Sequence, residues 1–303
     1  VGVVAQYVIE DLARIPVRVE IASEYRYRNP VLTGKELLVV ISQSGETLDS
    51  LAALREMSAK GIKSLAVVNV VGSSIARAAD AVFYTKAGPE ISVATTKAYS
   101  AQLIAVYLLA LKLAKVRKTI TENRYKGFLK ELATLPEKIS GILGNKSEIQ
   151  KFASEMMDRK DVFFIGRGID YATCIESSLK LKEISYIHSE AYAAGELKHG
   201  TISLIENGTL VLGILTQNSL VEKTISNLKE TESRGAYVAV LATEDVAGIP
   251  ANFRKLLSLP GVDGHFSASI AVVVMQLFAY FLSVLRGNDV DKPRNLAKSV
   301  TVE

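Results

Sequence analysis

The sequence predicts an α/β protein with two similar domains, each a parallel sheet covered by helices on both faces. Three observations lead to this prediction. Apolar strand segments alternate with helical segments, the second half of the chain repeats the pattern of the first, and each half contains one very apolar helix. Strands that alternate with helices favour a parallel sheet. With 303 residues, 49% of them hydrophobic, the chain is long enough to bury two cores.

The first half begins with the end of a helix at residues 1–14, which Pro16 breaks, and residues 17–21 alternate as a short strand. The polar, helix-prone residues 117–158 predict a helical connector, and residues 161–165 form the first strand of the second half. Between the strand at 17–21 and the connector at 117–158 we expect six elements in alternation. They are a strand at 36–41, a helix from 48 that Gly61 ends, a strand at 64–69, a short helix at 73–80, a strand at 81–84 and a buried helix at 95–115.

An internal duplication relates the two halves. At an offset of 174 residues, Gln43 aligns with Gln217, and the apolar helix at 102–112 aligns with residues 276–286 without a gap. The strand at 161–165 has no counterpart in the first half, and the sequence starts with Val. We therefore expect the chain to be the C-terminal part of a longer protein, cut inside its first repeat.

Residues 266–285 carry no charge and are long enough to raise the question of a membrane helix. Because the other half has an equivalent helix, we expect both to be buried against a sheet, with a spanning helix as the weaker alternative. No membrane partner is therefore predicted. The charge is nearly balanced, with 36 basic and 32 acidic residues, and the densest basic stretch, 115–126, is interrupted by uncharged residues and Glu122, so no nucleic-acid partner is expected.

Cys174 is the only cysteine, which excludes an internal disulfide and a thiol zinc cluster and favours a reducing cytoplasm. Gly166-Arg-Gly168 follows a strand, but Tyr171 stands where a dinucleotide fingerprint needs its third glycine, and the chain has no P-loop. The sequence therefore disfavours NAD and ATP, and we expect no cofactor and no metal site.

The segment Ser42-Gln-Ser-Gly-Glu-Thr47 has the composition of an anion site. It follows a buried strand, Gly45 permits a tight turn, and three hydroxyls lie near the N–H groups of the next helix. In an open parallel sheet, ligands bind in such loops at the carboxyl ends of strands. Helix capping by Ser44 or Thr47 is the alternative. The equivalent loop after Gln217 lacks the glycine and most hydroxyls, so we expect only one repeat to hold phosphate.

Glu176, Lys180 and Glu183 lie at i, i+4 and i+7 of a predicted helix and therefore share one face. The same helix is rich in Leu and Ile, so its charged row faces either a polar cleft or bulk water. The spacing alone leaves a catalytic row and an ordinary solvated face as open alternatives.

Several runs resemble the isomerase half of the glucosamine-6-phosphate synthase family, also called glutamine–fructose-6-phosphate aminotransferase (isomerising), over essentially the whole chain. The family's isomerase half consists of two tandem sugar-isomerase (SIS) domains. The longest matching run is the tail at 289–303, and the loop Ser42-Gln-Ser-Gly-Glu-Thr47 alone indicates only some SIS domain. The other matching runs are 69–77, 87–97, 179–188 and 194–200.

The resemblance implies an enzyme that binds fructose 6-phosphate and forms glucosamine 6-phosphate for amino-sugar synthesis, with ammonia from a glutaminase domain that this sequence lacks. It implies Lys298 as the Schiff-base lysine, Glu183 as the base that moves a proton between C1 and C2 with Lys180 as its neighbour, and His199 as the ring opener, supplied by the other subunit of a homodimer. The substrate-binding residues that it implies are Ser42, Gln43, Ser44 and Thr47 at the phosphate and Val93, Thr95 and Ala297 at the sugar.

The sequence departs from the family in three places. Thr201 stands where the family usually has Pro, and Thr95 stands where a Ser is frequent but keeps the hydroxyl. The Gly-Thr-Ser segment that precedes the position of Gly2 in the family is absent. On this reading the domains are residues 1–148, 149–288 and a closing tail at 289–303. A stand-alone SIS isomerase or deaminase and a sugar-phosphate-sensing SIS module remain alternatives. A sensor needs the loop but not Glu183, His199 and Lys298.

Overall fold

The computed structural model describes residues 1–298. The chain forms two compact units. The first contains residues 1–120 together with the segment that starts at Arg294, and the second contains Thr121–Pro293. The domain limits expected from the sequence, at residues 148 and 288, remain a prediction.

Among its described residues, the first unit has three strands in a parallel sheet, in the order β1-β2-β3. Val39 of β1 pairs with Leu65 of β2, and Leu65 pairs with Ala81 of β3. One core forms where α3 and α4 pack on this sheet, around Leu54 and Ile75. The elements are α1 Gly2–Ala13, α2 Ala22–Tyr25, β1 Leu37–Ser42, α3 Leu48–Ala59, β2 Lys63–Val68, α4 Ser74–Ala78, β3 Ala81–Tyr84 and α5 Lys97–Arg117.

The second unit has five parallel strands, in the order β5-β4-β6-β7-β8. Its central strand, β6, is buried along its whole length, as expected for a strand covered on both faces. The elements are α6 Glu122–Gly144, α7 Ser147–Met156, β4 Asp161–Gly166, α8 Ile169–Ser185, β5 His188–Ala193, β6 Leu210–Leu215, α9 Val221–Glu232, β7 Tyr237–Thr243, β8 Lys255–Leu259 and α10 Ala268–Leu285.

The order of elements confirms the predicted fold class and supports the duplication. Shifted by 174 residues, β1, α3, β2, β3 and α5 fall on β6, α9, β7, β8 and α10, with small differences at their ends. The helix α1 falls in the same way on α8. The first sheet has three strands and the second five, so β4 and β5 are the strands without an equivalent in the described part of the first unit.

Two expectations about elements are wrong. Residues 17–21 do not form a strand. At the repeat offset they fall near β5, which pairs only with β4, and no strand of the described first unit takes the place of β4. The apolar helices also pack chiefly on helices and not on a sheet, with α5 against α1 and α10 against α8 and α7.

Within residues 1–298, two helical segments are long and apolar enough to cross a membrane, Lys97–Arg117 and Gly264–Leu285. In the folded units, 50% of the most apolar window of the first and 72% of that of the second are buried. Core helices of globular proteins pass the same test of length and composition. The second segment includes α10, which supports α8 directly: the Ser283 hydroxyl donates to the Ile184 carbonyl at 2.5 Å.

Candidate functional site

The loop after β1 gathers three hydroxyls around a tight turn. Ser42 Oγ accepts a hydrogen bond from Gly45 N at 3.0 Å and lies 3.3 Å from Thr47 Oγ1. Ser44 Oγ accepts from Glu46 N at 3.2 Å. In the part of the chain that the structure describes, no side chain caps the start of α3, so capping does not explain these hydroxyls. The N–H groups of the first turn of α3 keep their capacity to bind an anion.

Gly45 holds this loop against the start of α4. Its φ of +68° is left-handed, and a Cβ on it would lie 2.1 Å from Ser73 Oγ. Its carbonyl accepts a hydrogen bond from Ile75 N at 2.9 Å, and Glu46 Oε1 accepts one from Ser74 N at 2.8 Å. Hydrogen bonding to Ser74 lowers the pKa of the Glu46 carboxyl. Only glycine fits this position, in conformation and in space.

Replacing Gly45 with alanine is therefore expected to destabilise the first unit. The left-handed backbone costs about 1–2 kcal/mol for a residue with a Cβ, and the overlap with Ser73 costs about 1–3 kcal/mol more. Gly61→Ala is the matched control, because Gly61 has a φ of +78° and nothing within 4 Å of its added Cβ. Thermal unfolding of both variants checks this prediction. Equal losses would show that contact with Ser73 does not restrict the position.

Asn69, directly after β2, joins this loop to the segment after β3. Its N–H donates to the Gln43 carbonyl at 3.1 Å. Its side-chain oxygen accepts from Ala87 N at 2.8 Å and from the Thr85 hydroxyl at 3.1 Å, and its amide donates to the Gly88 carbonyl at 2.9 Å. Sequence reasoning gave Asn69 no role of its own. The available signal was its place at the carboxyl end of a parallel strand.

Glu90 is a buried carboxylate that binds Lys298. Lys298 Nζ lies 3.3 Å from Glu90 Oε2 and donates to the Ser92 carbonyl at 2.7 Å. The other oxygen of Glu90 accepts from Thr96 N at 2.7 Å and lies 3.4 Å from Ala98 N at the start of α5. The Glu90 side chain is only 3% exposed. The lysine amine is thus fixed against the segment that precedes α5, and this partner was missed from the sequence.

The predicted sugar-binding residues flank this ion pair along the chain. Val93 and Thr95 are half-buried in the segment that Lys298 contacts, directly before α5. Ala297 precedes Lys298 and is exposed. Two of the predicted sugar contacts thus lie in the segment that Lys298 touches, and the third is the neighbour of Lys298 in the sequence.

In the charged row of α8, Lys180 is buried and Glu176 and Glu183 are mostly shielded from water. Lys180 Nζ lies 2.5 Å from Glu183 Oε2 and 3.5 Å from Glu176 Oε1. The three side chains are 5%, 22% and 13% exposed, respectively, so the solvated-face alternative is wrong. Removal from water penalises these charges unless they pair closely, which explains why one ammonium lies between two carboxylates. Burial raises the pKa of Glu176, and the Lys180 ammonium opposes that rise.

The three histidines have different surroundings. His199 is exposed in the turn after β5. His188 Nδ1 lies 2.9 Å from Asp161 Oδ1, and His265 Nδ1 lies 2.6 Å from Asp263 Oδ1. The last two are thus engaged with carboxylates of their own unit, as suits residues with structural roles. His188 is exposed as well as His199, but its ring contacts carboxylates of its own unit.

The candidate residues fall into two groups, one in each unit. The loop after β1, the segment before α5 and Lys298 belong to the first unit, and the charged row of α8 and His199 belong to the second. Within residues 1–298, no group of three or more His, Cys, Asp or Glu side chains is arranged to hold a metal ion.

Comparison with known families gives one match that spans most of the chain. The model of the SIS domain matches residues 1–112 and 155–286. These two matched ranges contain the sheets of the two units, and the first also contains the hydroxyl-rich loop after β1.

Among curated proteins, the chain is 55% identical over 302 residues to glutamine–fructose-6-phosphate aminotransferase [isomerizing] from Caldanaerobacter subterraneus. It is 46% identical to the protein of the same name from Methanosarcina mazei. All of this chain is covered, but it spans only 50% and 49% of those proteins. The chain therefore spans about half the length of the curated relatives it matches.

Among solved structures, the chain is similar to the C-terminal domain of glucosamine-fructose-6-phosphate aminotransferase from Francisella tularensis. The TM-score is 0.93 at 37% identity, and the match covers 96% of this chain and 83% of that one. A glucosamine-6-phosphate deaminase from Thermotoga maritima has the same fold, with a TM-score of 0.77 at 24% identity over 98% of this chain and 86% of that one.

Proposed function

Because this chain belongs to the SIS-domain family, and within it to the C-terminal domains of glucosamine–fructose-6-phosphate aminotransferases, we propose that it is the isomerase part of such an enzyme. In this proposal it binds fructose 6-phosphate and forms glucosamine 6-phosphate. The ammonia comes from a glutaminase domain, which lies outside these 303 residues. The observation that supports the proposal most strongly is that the first unit carries both a hydroxyl-rich loop and a half-buried lysine held by the buried Glu90 carboxylate. The second unit carries the acid–base row of α8.

The proposed phosphate site is the loop after β1, with Ser42, Gln43, Ser44 and Thr47. Its support is the set of three hydroxyls and the uncapped start of α3. Gly45 fixes the loop by a contact that admits no Cβ, so the donors are arranged before the ligand arrives. A site that is ordered in advance loses less conformational entropy on binding.

The proposed imine forms at Lys298. Its amine attacks the ketone carbon C2 of the open-chain sugar, the new C–N bond forms, and the carbonyl oxygen leaves as water. The contacts with Glu90 and the Ser92 carbonyl support this role, because they fix the amine beside Val93 and Thr95, where we place the sugar. Ammonia then replaces the lysine nitrogen at C2 and releases the enzyme.

Glu183 is the proposed base that removes a proton from C1 and returns it at C2. One carboxylate performs both transfers, because the two carbons are neighbours. Lys180, which contacts Glu183, holds its carboxylate in place. His199 is the proposed ring-opening residue, supplied by the second subunit of a homodimer, and its exposure in a single chain suits such a role. With one buried cysteine in the whole sequence, we place the enzyme in the cytoplasm.

Thermal unfolding with and without ligand tests the phosphate assignment. A ligand at 100 times its Kd stabilises the folded state by about 2.7 kcal/mol, which raises Tm by several degrees in a chain of this size. We expect this shift with fructose 6-phosphate and almost none with fructose at the same concentration. Equal shifts for both sugars would refute the phosphate site.

Turnover separates the enzyme from a sugar-phosphate sensor, which binds without reacting. We expect the chain to isomerise fructose 6-phosphate to glucose 6-phosphate, because proton transfer between C1 and C2 needs only the residues assigned above. Coupled detection of glucose 6-phosphate measures this activity. A ligand-induced rise in Tm without any isomerisation would favour the sensor.

A further inference from the structure

The loop of the second unit that corresponds to the phosphate loop is already occupied by a side chain of the protein. At the repeat offset, Thr216 and Gln217, directly after β6, correspond to Ser42 and Gln43 of the first unit. The carboxyl group of Asp170, a residue in the first turn of α8, contacts this loop, and Asp170 as a whole is 3% exposed.

The donors of this loop point at the carboxyl group. Thr216 N donates to Asp170 Oδ2 at 2.9 Å, and the Thr216 hydroxyl makes a short hydrogen bond to Asp170 Oδ1. The backbone of Gln217 also lowers the pKa of this carboxyl group, which places its N–H on the same side of the loop. A backbone N–H group and a hydroxyl at the carboxyl end of a parallel strand are donors of the kind that anion sites of this fold present to a ligand.

Further hydrogen bonds connect this group to the start of α10. The Thr216 hydroxyl lies 2.7 Å from Ser267 Oγ, and the Gln217 side-chain amide donates to the Gly264 carbonyl at 3.1 Å. Both Ser267 and Asp170 are buried. One carboxyl group thus ties the first turn of α8 to the end of β6 and to the segment before α10.

Gly166, the last residue of β4, makes this placement possible. A Cβ there would lie 2.7 Å from the Asp170 carbonyl carbon and 2.9 Å from Asp170 Cβ. The absence of a side chain lets the first turn of α8 lie directly against the strand end. Burial raises the pKa of Asp170 to about 7, and the hydrogen bonds from Thr216 oppose the rise. Above that pH the group is an anion.

We propose that the Asp170 carboxylate is a built-in anion that occupies, in the second repeat, the place where the first repeat binds the sugar phosphate. It thereby closes the second loop to external phosphate and fixes the start of α8, the helix that carries Glu176, Lys180 and Glu183. The comparison with a sugar phosphate rests on the proposed function, but occupancy of the second loop by an internal carboxylate is tested without any sugar.

The test is rescue by formate, the smallest carboxylate. Asp170→Ala removes the side-chain carboxyl group and leaves space beside the donors of Thr216 and Gln217. Thermal unfolding is measured at pH 8 in sodium formate and in sodium chloride at the same concentration. We expect Asp170→Ala to lower Tm by about 5 °C in chloride, because buried donors lose their acceptor, and formate to restore part of this loss.

Three proteins serve as controls. Formate should not raise the Tm of the unaltered chain, nor that of Asp161→Ala, which removes an exposed carboxylate of β4. In Asp170→Asn the amide fills the space, so we expect a lowered Tm that formate does not restore. The proposal is overturned if formate fails to stabilise Asp170→Ala selectively. If that variant does not fold, Asp170→Asn decides, and a Tm equal to that of the unaltered chain overturns the proposal.

This outcome is independent of the phosphate site in the first unit. A missing Tm shift with fructose 6-phosphate would refute the loop after β1 and leave the formate result unchanged. Failure of formate rescue with a normal fructose 6-phosphate shift would refute the built-in anion alone.

Discussion

Glu183→Gln should lower kcat for isomerisation of fructose 6-phosphate by about 10²- to 10⁴-fold, the usual contribution of a general base. Glutamine keeps the shape of the side chain but cannot take a proton. Lys180 retains Glu176 as a partner at 3.5 Å, so the buried ammonium is not left without a carboxylate. KM should change little, because the loop after β1 is untouched, and steady-state kinetics measure both constants.

Glu148→Gln is the matched control for this variant. Glu148 is a carboxylate of the same unit in an ion pair of 2.7 Å with Lys255, outside the proposed site. Its neutralisation should leave kcat within about twofold of the unaltered chain, since an exposed ion pair contributes little to stability. Isomerisation by Glu183→Gln at nearly the normal rate would remove Glu183 from the proton transfer and leave the α8 row as a structural ion cluster.

Lys298→Ala should abolish covalent trapping of the substrate by borohydride. Reduction of an imine adds hydride at C2 and leaves the sugar on the lysine nitrogen as a stable secondary amine, which increases the mass of the peptide that contains residue 298. Without the amine no imine forms, so no adduct should appear. Peptide mass spectrometry after treatment with fructose 6-phosphate and borohydride gives an all-or-none result.

Lys97→Ala is the matched control, because Lys97 is an exposed lysine at the start of α5, close in sequence to the segment that Lys298 contacts. That variant should form the adduct at Lys298 in normal yield. A sugar adduct on any other lysine in Lys298→Ala would contradict the assignment. The contact of Lys298 with buried Glu90 would then be a structural ion pair that fastens the chain to the first unit.

The fold could be predicted because its signals are local or repetitive. The apolar run that predicts β1 and the helical periodicity that predicts α3 each involve only residues close together in the sequence. The repeat at 174 residues gave an independent check of the order of elements. The error at residues 17–21 shows the limit of such signals. Alternation indicates a strand only if another strand is available for pairing, and pairing is a property of the whole sheet.

The candidate site was predictable only in part, for the same reason. Glu176, Lys180 and Glu183 share a helix face at a spacing that can be read from the sequence, but only the folded chain shows that the row is mostly shielded from water. Glu90 lies 208 residues from Lys298, so no local pattern links them. Asp170 and Thr216 are separated by 46 residues and meet only because β4 and β6 are neighbours in the sheet.

The first unit is built from two separate stretches of the chain, residues 1–120 and the segment that starts at Arg294. Its proposed active-site residues are therefore complete only near the end of translation. Glu90 leaves the ribosome 208 residues before Lys298, an interval of about 10 to 40 seconds at ordinary rates of translation. During that interval the second unit is synthesised, and the Glu90 carboxylate does not yet have the Lys298 ammonium as its partner. A nascent chain can therefore display the loop after β1 before it has the lysine that we propose reacts with a ketose. On this proposal, the first unit can form an imine only after the segment that carries Lys298 has packed against it.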